Sequence, residues 1–166
     1  MPLPLDLVLT TTEFRNHGFV VTEPLAEVES REYCAHTFEV NGQKAVFRSA
    51  RTTPKKVGQF VTLWRRSVPD EGPIRPFDTS DGIDLFIVSV RGSTGFGRFV
   101  FPRAALTAHD VVSQDFRGGK RALRVYPPWS DPGNHSAGHP TLAVGVLYPW
   151  VRPDPPCPGP VTQRWS

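Results

Sequence analysis

Apolar and polar residues alternate on both sides of Asn41-Gly42. Period-two alternation marks strands, and Asn-Gly suits a type I′ turn because both residues tolerate positive φ. A two-residue turn there sets Glu39 opposite Lys44, Phe38 opposite Ala45 and His36 opposite Phe47. One face then carries Phe38, Val40, Ala45 and Phe47 and is the core face. The other carries Thr37, Glu39, Lys44 and Arg48 and is the wetter one. Thr53-Pro54 reads as a helix start, with Thr as N-cap and Pro at the first position. Phe60, Val61, Leu63 and Trp64 form a further apolar strand, ended by Arg65-Arg66.

Elsewhere the pattern is uneven. Leu5, Leu7, Val8, Leu9 and Phe14 fit a short helix that Gly18 would end, and Pro24 opens a further turn. Strands are expected to begin near Tyr33. The stretch from Ser67 to Gly82 is rich in Pro, Asp and Gly and reads as surface loop. Ile83 to Val90 is almost continuously apolar, the mark of a strand buried on both faces. A hairpin turn over Ser93-Thr94-Gly95-Phe96-Gly97 leads to a strand over Gly97–Phe101, and Pro102 starts a helix from Arg103 to His109. Lys120 to Tyr126 alternates basic and apolar residues, a strand with one wet face, and Pro127-Pro128 stop it. The elements describe an α/β (α+β) domain over residues 1–132, followed by a Pro-rich tail over 133–166.

The 166 residues suffice for one core without staples. No stretch approaches the roughly 20 apolar residues of a membrane helix, so no membrane partner is expected. Asp6 interrupts the first apolar run and no basic residue precedes it, unlike a secretory signal. Cys34 and Cys157 stand in dissimilar contexts, neither a disulfide framework nor a metal knuckle, and a cytoplasmic location is the simplest expectation. The net charge of +3 conceals a polarity. Residues 1–30 hold one Arg against five acids, whereas residues 31–129 hold 16 Lys and Arg against nine Asp and Glu. An acidic arm thus precedes a basic middle, which suggests an anionic partner.

Candidate chemistry is sparse. Asp84 is one acid in an apolar run, either a metal-binding carboxylate or an Asp satisfied by a backbone N–H or an arginine such as Arg98. A metal nuclease needs further acids, usually with a lysine on the next strand, and Gly97-Arg98-Phe99 supplies neither. Glu39 would join Asp84 only by folding proximity. No histidines are spaced as a metal pair, and no Gly-x-Ser-x-Gly elbow or phosphate-loop lysine is present. Basic residues cluster at Arg48, Arg51, Lys55 and Lys56, at Arg65 and Arg66, and at Lys120, Arg121 and Arg124. Trp64, Tyr126 and Trp129 lie among them. Cations neutralise phosphates and exposed aromatics stack bases; the bland alternative is aromatics in the core and charges on the rim.

Several motifs in fixed order carry a resemblance. They are Glu32 to Phe38, Thr53 to Trp64, Pro76-Phe77-Asp78, Gly97 to Pro102, and Gly119-Lys120-Arg121 through Arg124 to Trp129. From about Glu29 to Trp129 the chain resembles the MepB-like family, small bacterial proteins of poorly established function. The resemblance implies a central mixed β-sheet with flanking helices, similar to the PD-(D/E)xK restriction-endonuclease-like fold, and a nucleic-acid-binding role. It supplies no active site, which agrees with the missing partner of Asp84.

The expected function is therefore non-catalytic, sequence-independent binding to the backbone of DNA or RNA, without cofactor. Arg48, Arg51, Lys55, Lys56, Lys120, Arg121 and Arg124 would contact phosphates, and Trp129 would stack. The alternatives are a phosphodiesterase using Mg²⁺ with Asp84 and Glu39, and a protein-interaction module whose basic face meets an acidic partner or the acidic arm. The tail departs from the family pattern, whose members end similarly to Thr-Gln-x-Trp-Gln-x-x-Tyr-Phe. Codons for His139–Leu147 can be chosen that give Thr-Gln-Arg-Trp-Gln-Ser-Glu-Tyr one base later, compatible with a frameshifted C-terminus. Pro-rich sequence forms no regular helix or central strand, so residues from about Asn134 are expected to pack poorly.

Overall fold

The computed structural model describes residues 2–68, 71–92 and 96–127, and the strand Val146–Pro149 by its backbone. Helix α1 (Leu5–Asn16) is followed by β1 (Leu25–Ala26), β2 (His36–Val40), β3 (Gln43–Ser49), β4 (Arg51–Thr53) and β5 (Lys56–Thr62). Then come β6 (Trp64–Val68), β7 (Glu71–Pro76), β8 (Leu85–Arg91), β9 (Phe96–Pro102), α2 (Arg103–Ala108), β10 (Ala122–Val125) and β11 (Val146–Pro149). Among the described residues no helix is long and apolar enough to cross a membrane.

The central sheet has six strands in the order β1-β2-β3-β8-β9-β11. It is mixed: β3 and β8 run parallel and the other pairs antiparallel. Asn41 and Gly42 both take positive φ, 49° and 79°, and the register sets Glu39 opposite Lys44 and His36 opposite Phe47. The Asn-Gly hairpin is as the alternation requires.

Two cores form, one on each face of this sheet. Leu7 and Phe14 of α1 pack with Phe38, Val40, Ala45, Phe47 and Ile87. On the other face Val46, Phe86, Val88, Phe99 and Phe101 pack with Leu106 of α2 and with Val61, Leu63, Leu123 and Val125. The last four belong to a second layer, a three-stranded antiparallel sheet ordered β10-β5-β4, with Leu63 just beyond β5. Because β3 is covered on both sides, its expected wet face is wrong: Arg48 is only 1% exposed.

Three further expectations fail. Thr53-Pro54 starts no helix; Pro54-Lys55 turns β4 into β5, with Thr53 opposite Lys56. Pro presets φ for a turn as readily as for a first helical residue, and the β-forming run after Gly58 decides between them. The register slips after Thr52, and Gly58 takes φ +81° with no room for a side chain. A Cβ there would lie 2.8 Å from the Tyr126 ring. Second, Ser67–Gly82 is not all loop. β6 and β7 form a two-stranded hairpin at the surface, so Arg65-Arg66 lies within a strand rather than ending one. Arg65 and Arg75 face each other in it, and Asp81 neutralises both, at 3.4 and 2.8 Å. Charge rather than apolar periodicity holds this element. Third, the tail holds β11, paired with β9, where no element was expected. Val146, Leu147 and Tyr148 are β-formers, and an edge strand tolerates Pro149. The frameshift at 139–147 falls, except for Val146 and Leu147, outside the described residues. So do Trp129 and residues 93–95 of the expected turn, whose Phe96 and Gly97 already belong to β9.

Candidate nucleic-acid interface

The acidic arm explains where much of the basic middle goes. Glu27 pairs with Arg48 at 2.7 Å, Glu29 with Arg66 at 2.6 Å and Asp6 with Arg91 at 2.5 Å. Glu13 pairs with Arg98, which also donates to Thr10 Oγ1 at 3.0 Å. Four of the arm's five acids thus meet arginines of the middle. Arg48 and Arg98 are buried, so neither reaches a ligand phosphate; Arg48 leaves the set of phosphate contacts. Burial lowers the Arg48 guanidinium below its usual pKa and raises the Glu27 carboxyl, in each case against the pull of the partner.

The remaining cations gather around the second sheet. Its inner face, Gln59, Val61, Leu123 and Val125, is buried. Alternation turns Phe60 and Arg124 to the outer face, and the register puts Arg51, Phe60 and Arg124 in one row across β4, β5 and β10. Arg124 is 9% exposed. It donates to Thr53 Oγ1 at 2.8 Å and to the Val57 carbonyl at 3.3 Å. It therefore clamps the sheet, and its expected role as a free phosphate contact is also corrected.

Arg51, Lys55, Lys56 and Arg121 are exposed and Lys120 partly so. Among the described residues Arg51, Lys55, Lys120 and Arg121 make no ion pair with a carboxylate. Lys55 and Lys56 stand at one end of β5. Arg121 stands at the other, where its carbonyl accepts from Leu63 N. Between them the partly exposed Tyr33 and Phe60 rings meet edge to face at 6.1 Å. The Arg51 guanidinium lies 5.9 Å from the Tyr33 ring and that of Arg124 5.8 Å from Phe60. Two cations and two rings thus form one continuous run.

Reading the sequence missed Tyr33 as a site residue and placed Phe60 only in an apolar strand. The signal for Phe60 was its parity: it alternates with Gln59 and Val61, which point inward. Gln59 hid that signal, because its polar amide is buried, donating to the Arg91 carbonyl at 2.6 Å and accepting from Arg91 N at 3.4 Å. Tyr33 carries no periodic signal, because a single 3₁₀ turn, Arg31–Tyr33, presents it.

Asp84 lies just before β8. Its carboxylate accepts from Lys44 N at 2.9 Å and sits 3.6 Å from Arg103, not from Arg98. It lines an open cleft with Gln43, Thr79, Arg103, Thr107 and Gln114. Register places Glu39, Lys44 and Asp84 on one row across β2, β3 and the start of β8. The lysine stands between the acids. Among the described residues no three His, Cys, Asp or Glu side chains gather that could hold a metal ion.

The family model described as MepB-like matches residues 27–143, which takes in both sheets from β2 to β10. A solved structure described as "Crystal Structure of MepB" is 27% identical, with a TM-score of 0.65 over 80% of this chain and 87% of that one. No curated protein matches the chain.

Proposed function

We propose that this chain, which belongs to the MepB-like family, binds the backbone of DNA or RNA without cleaving it and without reading its sequence. The supporting observation is the outer side of the β4–β5–β10 sheet. Arg51 stands in one row with the partly exposed Phe60 there, and the exposed Lys55, Lys56 and Arg121 stand at the ends of β5 and β10. The acidic arm neutralises other arginines, while Arg51, Lys55 and Arg121 make no ion pair with a carboxylate among the described residues. The nuclease-like fold that the resemblance implies would then serve as a scaffold, with no cofactor. A cytoplasmic location fits such a ligand.

Phosphate contacts release counterions, so affinity falls with salt. Four neutralised phosphates give a log–log slope of about −3 to −4. Filter binding across a salt series should show it, and Lys55→Ala with Lys56→Ala should flatten the slope by about 1–2. Affinity that ignores ionic strength would sink the proposal.

One observation favours a second reading, a metal-dependent phosphodiesterase: the row of Glu39, Lys44 and Asp84 beside an open cleft. Plasmid and RNA incubated with Mg²⁺ or Mn²⁺ decide it. Cleavage by wild type but not by Asp84→Asn supports it; no cleavage, or equal cleavage, removes it.

A further inference from the structure

We propose that the turn Gln114–Arg117 is a protein-docking element. It takes an acidic, apolar segment of a partner protein, which packs on the Phe116 ring and sets its carboxylates on Arg65 and Arg117.

The turn is built against the preference of one of its own residues. Gln114 N donates to the Arg117 carbonyl at 3.2 Å, and Arg117 N to the Gln114 carbonyl at 2.9 Å. The two residues between them, Asp115 and Phe116, are both left-handed, at φ 50° and 61°. Positive φ at both central positions marks the type I′ turn, which Asn, Asp and Gly fill readily. Asp115 conforms and Phe116 does not, because a bulky side chain is strained at positive φ. The same ring is 65% exposed, so most of it gains nothing from the core. Glycine would relieve the strain and remove the exposed ring together. A residue unfavourable to the fold on both counts has its use outside the fold, and such backbone outliers cluster where ligands are held.

The ring is also held ready. Phe116 N donates to Asp78 Oδ1 at 2.8 Å, and Ser113 Oγ donates to the same oxygen at 2.6 Å. Asp78 is buried, so the turn is fixed from beneath. From the side, the Arg75 guanidinium lies 5.1 Å from the ring centroid. Arg75 is itself gripped by both oxygens of Asp81, each at 2.8 Å. A ring fixed in this way loses little freedom when a partner packs on it. Aromatic residues and arginine are the residue types that interfaces favour.

Charge gives the partner its chemistry. One carboxylate, Asp81, faces two guanidiniums, Arg75 at 2.8 Å and Arg65 at 3.4 Å. Arg65 still exposes 39% of its side chain. Arg117 adds an exposed cation and Asp115 an exposed acid, so three arginines stand against two aspartates, 3−2 = +1. A segment that brings apolar side chains to the ring therefore gains from carboxylates beside them. One ring with one spare charge gives a nucleic-acid backbone no track to follow, since phosphate binding draws on several cations.

The test selects random peptides displayed on phage against the full chain, with the Phe116→Gly protein as counter-target. Synthetic copies of the enriched peptides are then titrated by fluorescence anisotropy. The expected peptides combine apolar residues with Asp or Glu. Phe116→Gly should bind them at least about tenfold more weakly, the loss typical of an interface anchor, and Phe116→Tyr should bind them as the wild type does. The melting temperature of Phe116→Gly should hold or rise, because glycine accepts positive φ. No enrichment, or equal binding by Phe116→Gly, overturns docking through this ring. Enriched peptides that are basic overturn the assigned partner. A clear fall in the melting temperature of Phe116→Gly would show that the ring serves the fold, and overturns the proposal. Loss of oligonucleotide affinity in that variant, with no peptide enriched, would give the ring to nucleic acid and overturn it as well.

Discussion

Truncating Glu27 to alanine is expected to destabilise the fold by about 3–5 kcal/mol. The reason is the company it keeps. Arg48 is 1% exposed and lies 2.7 Å from the Glu27 carboxylate. Its Nη1 donates to its neighbour's carbonyl, that of Phe47, and its Nε has no partner among the described residues. Without Glu27 a guanidinium stays buried with no counter-charge. Burial pushes both groups toward neutrality, against the pull each exerts on the other, and taking two charges out of water offsets most of the attraction of such a pair. The pair is therefore worth little, while breaking it is severe. Replacing both, Glu27→Ala with Arg48→Met, should recover most of the loss. Urea unfolding of the single and double variants measures this. A single-variant loss below about 1 kcal/mol would show that the buried pair does not act this way.

Arg48 also marks the boundary of what the sequence reveals. The Asn-Gly hairpin, the doubly buried β8, α1 and the helix after Pro102 were legible, because each has a strong local signal. The second sheet was legible only in part. The apolar run from Phe60 and the alternation over Lys120–Tyr126 marked β5 and β10, but β4 is three residues long, too short for alternation to speak, and nothing local said that the three strands pair. Period-two reasoning assigned β3 one wet face because Lys44 and Arg48 share a parity. Only the layer above the sheet turns one of them into a buried ion. The partner, Glu27, is distant in sequence and sits on an arm with no pattern of its own. Of the site, the exposed cations Arg51, Lys55, Lys56 and Arg121 were legible from charge alone. Tyr33 and the clamping role of Arg124 were not, because both depend on which strands become neighbours.

Replacing Asp78 with alanine should destabilise the protein by about 4–5 kcal/mol, and the same residue should make it sensitive to acid. Asp78 is 2% exposed. One carboxylate oxygen accepts from Ser113 Oγ at 2.6 Å and Phe116 N at 2.8 Å. The other accepts from Ser80 Oγ at 2.6 Å and Ser80 N at 3.0 Å. The side chain thus ties the turn after β7 to the segment following α2. Hydrogen bonds to a charged group contribute about 1.5–3 kcal/mol each, less than additively, and the orphaned buried donors add to the loss. Burial alone would raise this carboxyl, but the four donors outweigh it and hold the pKa well below the ordinary 3.8. Asp81 is likewise held low: burial raises it, and the two-pronged contact from Arg75 with the Asp78 N–H overcomes that. In both, the folded pKa lies below the unfolded one. Their stabilisation is therefore complete above the unfolded value and is lost as pH falls through the folded values. The urea midpoint should drop steeply below the ordinary carboxylate pKa of 3.8. Asp78→Asn, which keeps the shape but cannot titrate, should start lower and fall less steeply. An acid slope identical to wild type in that variant would place the proton uptake elsewhere.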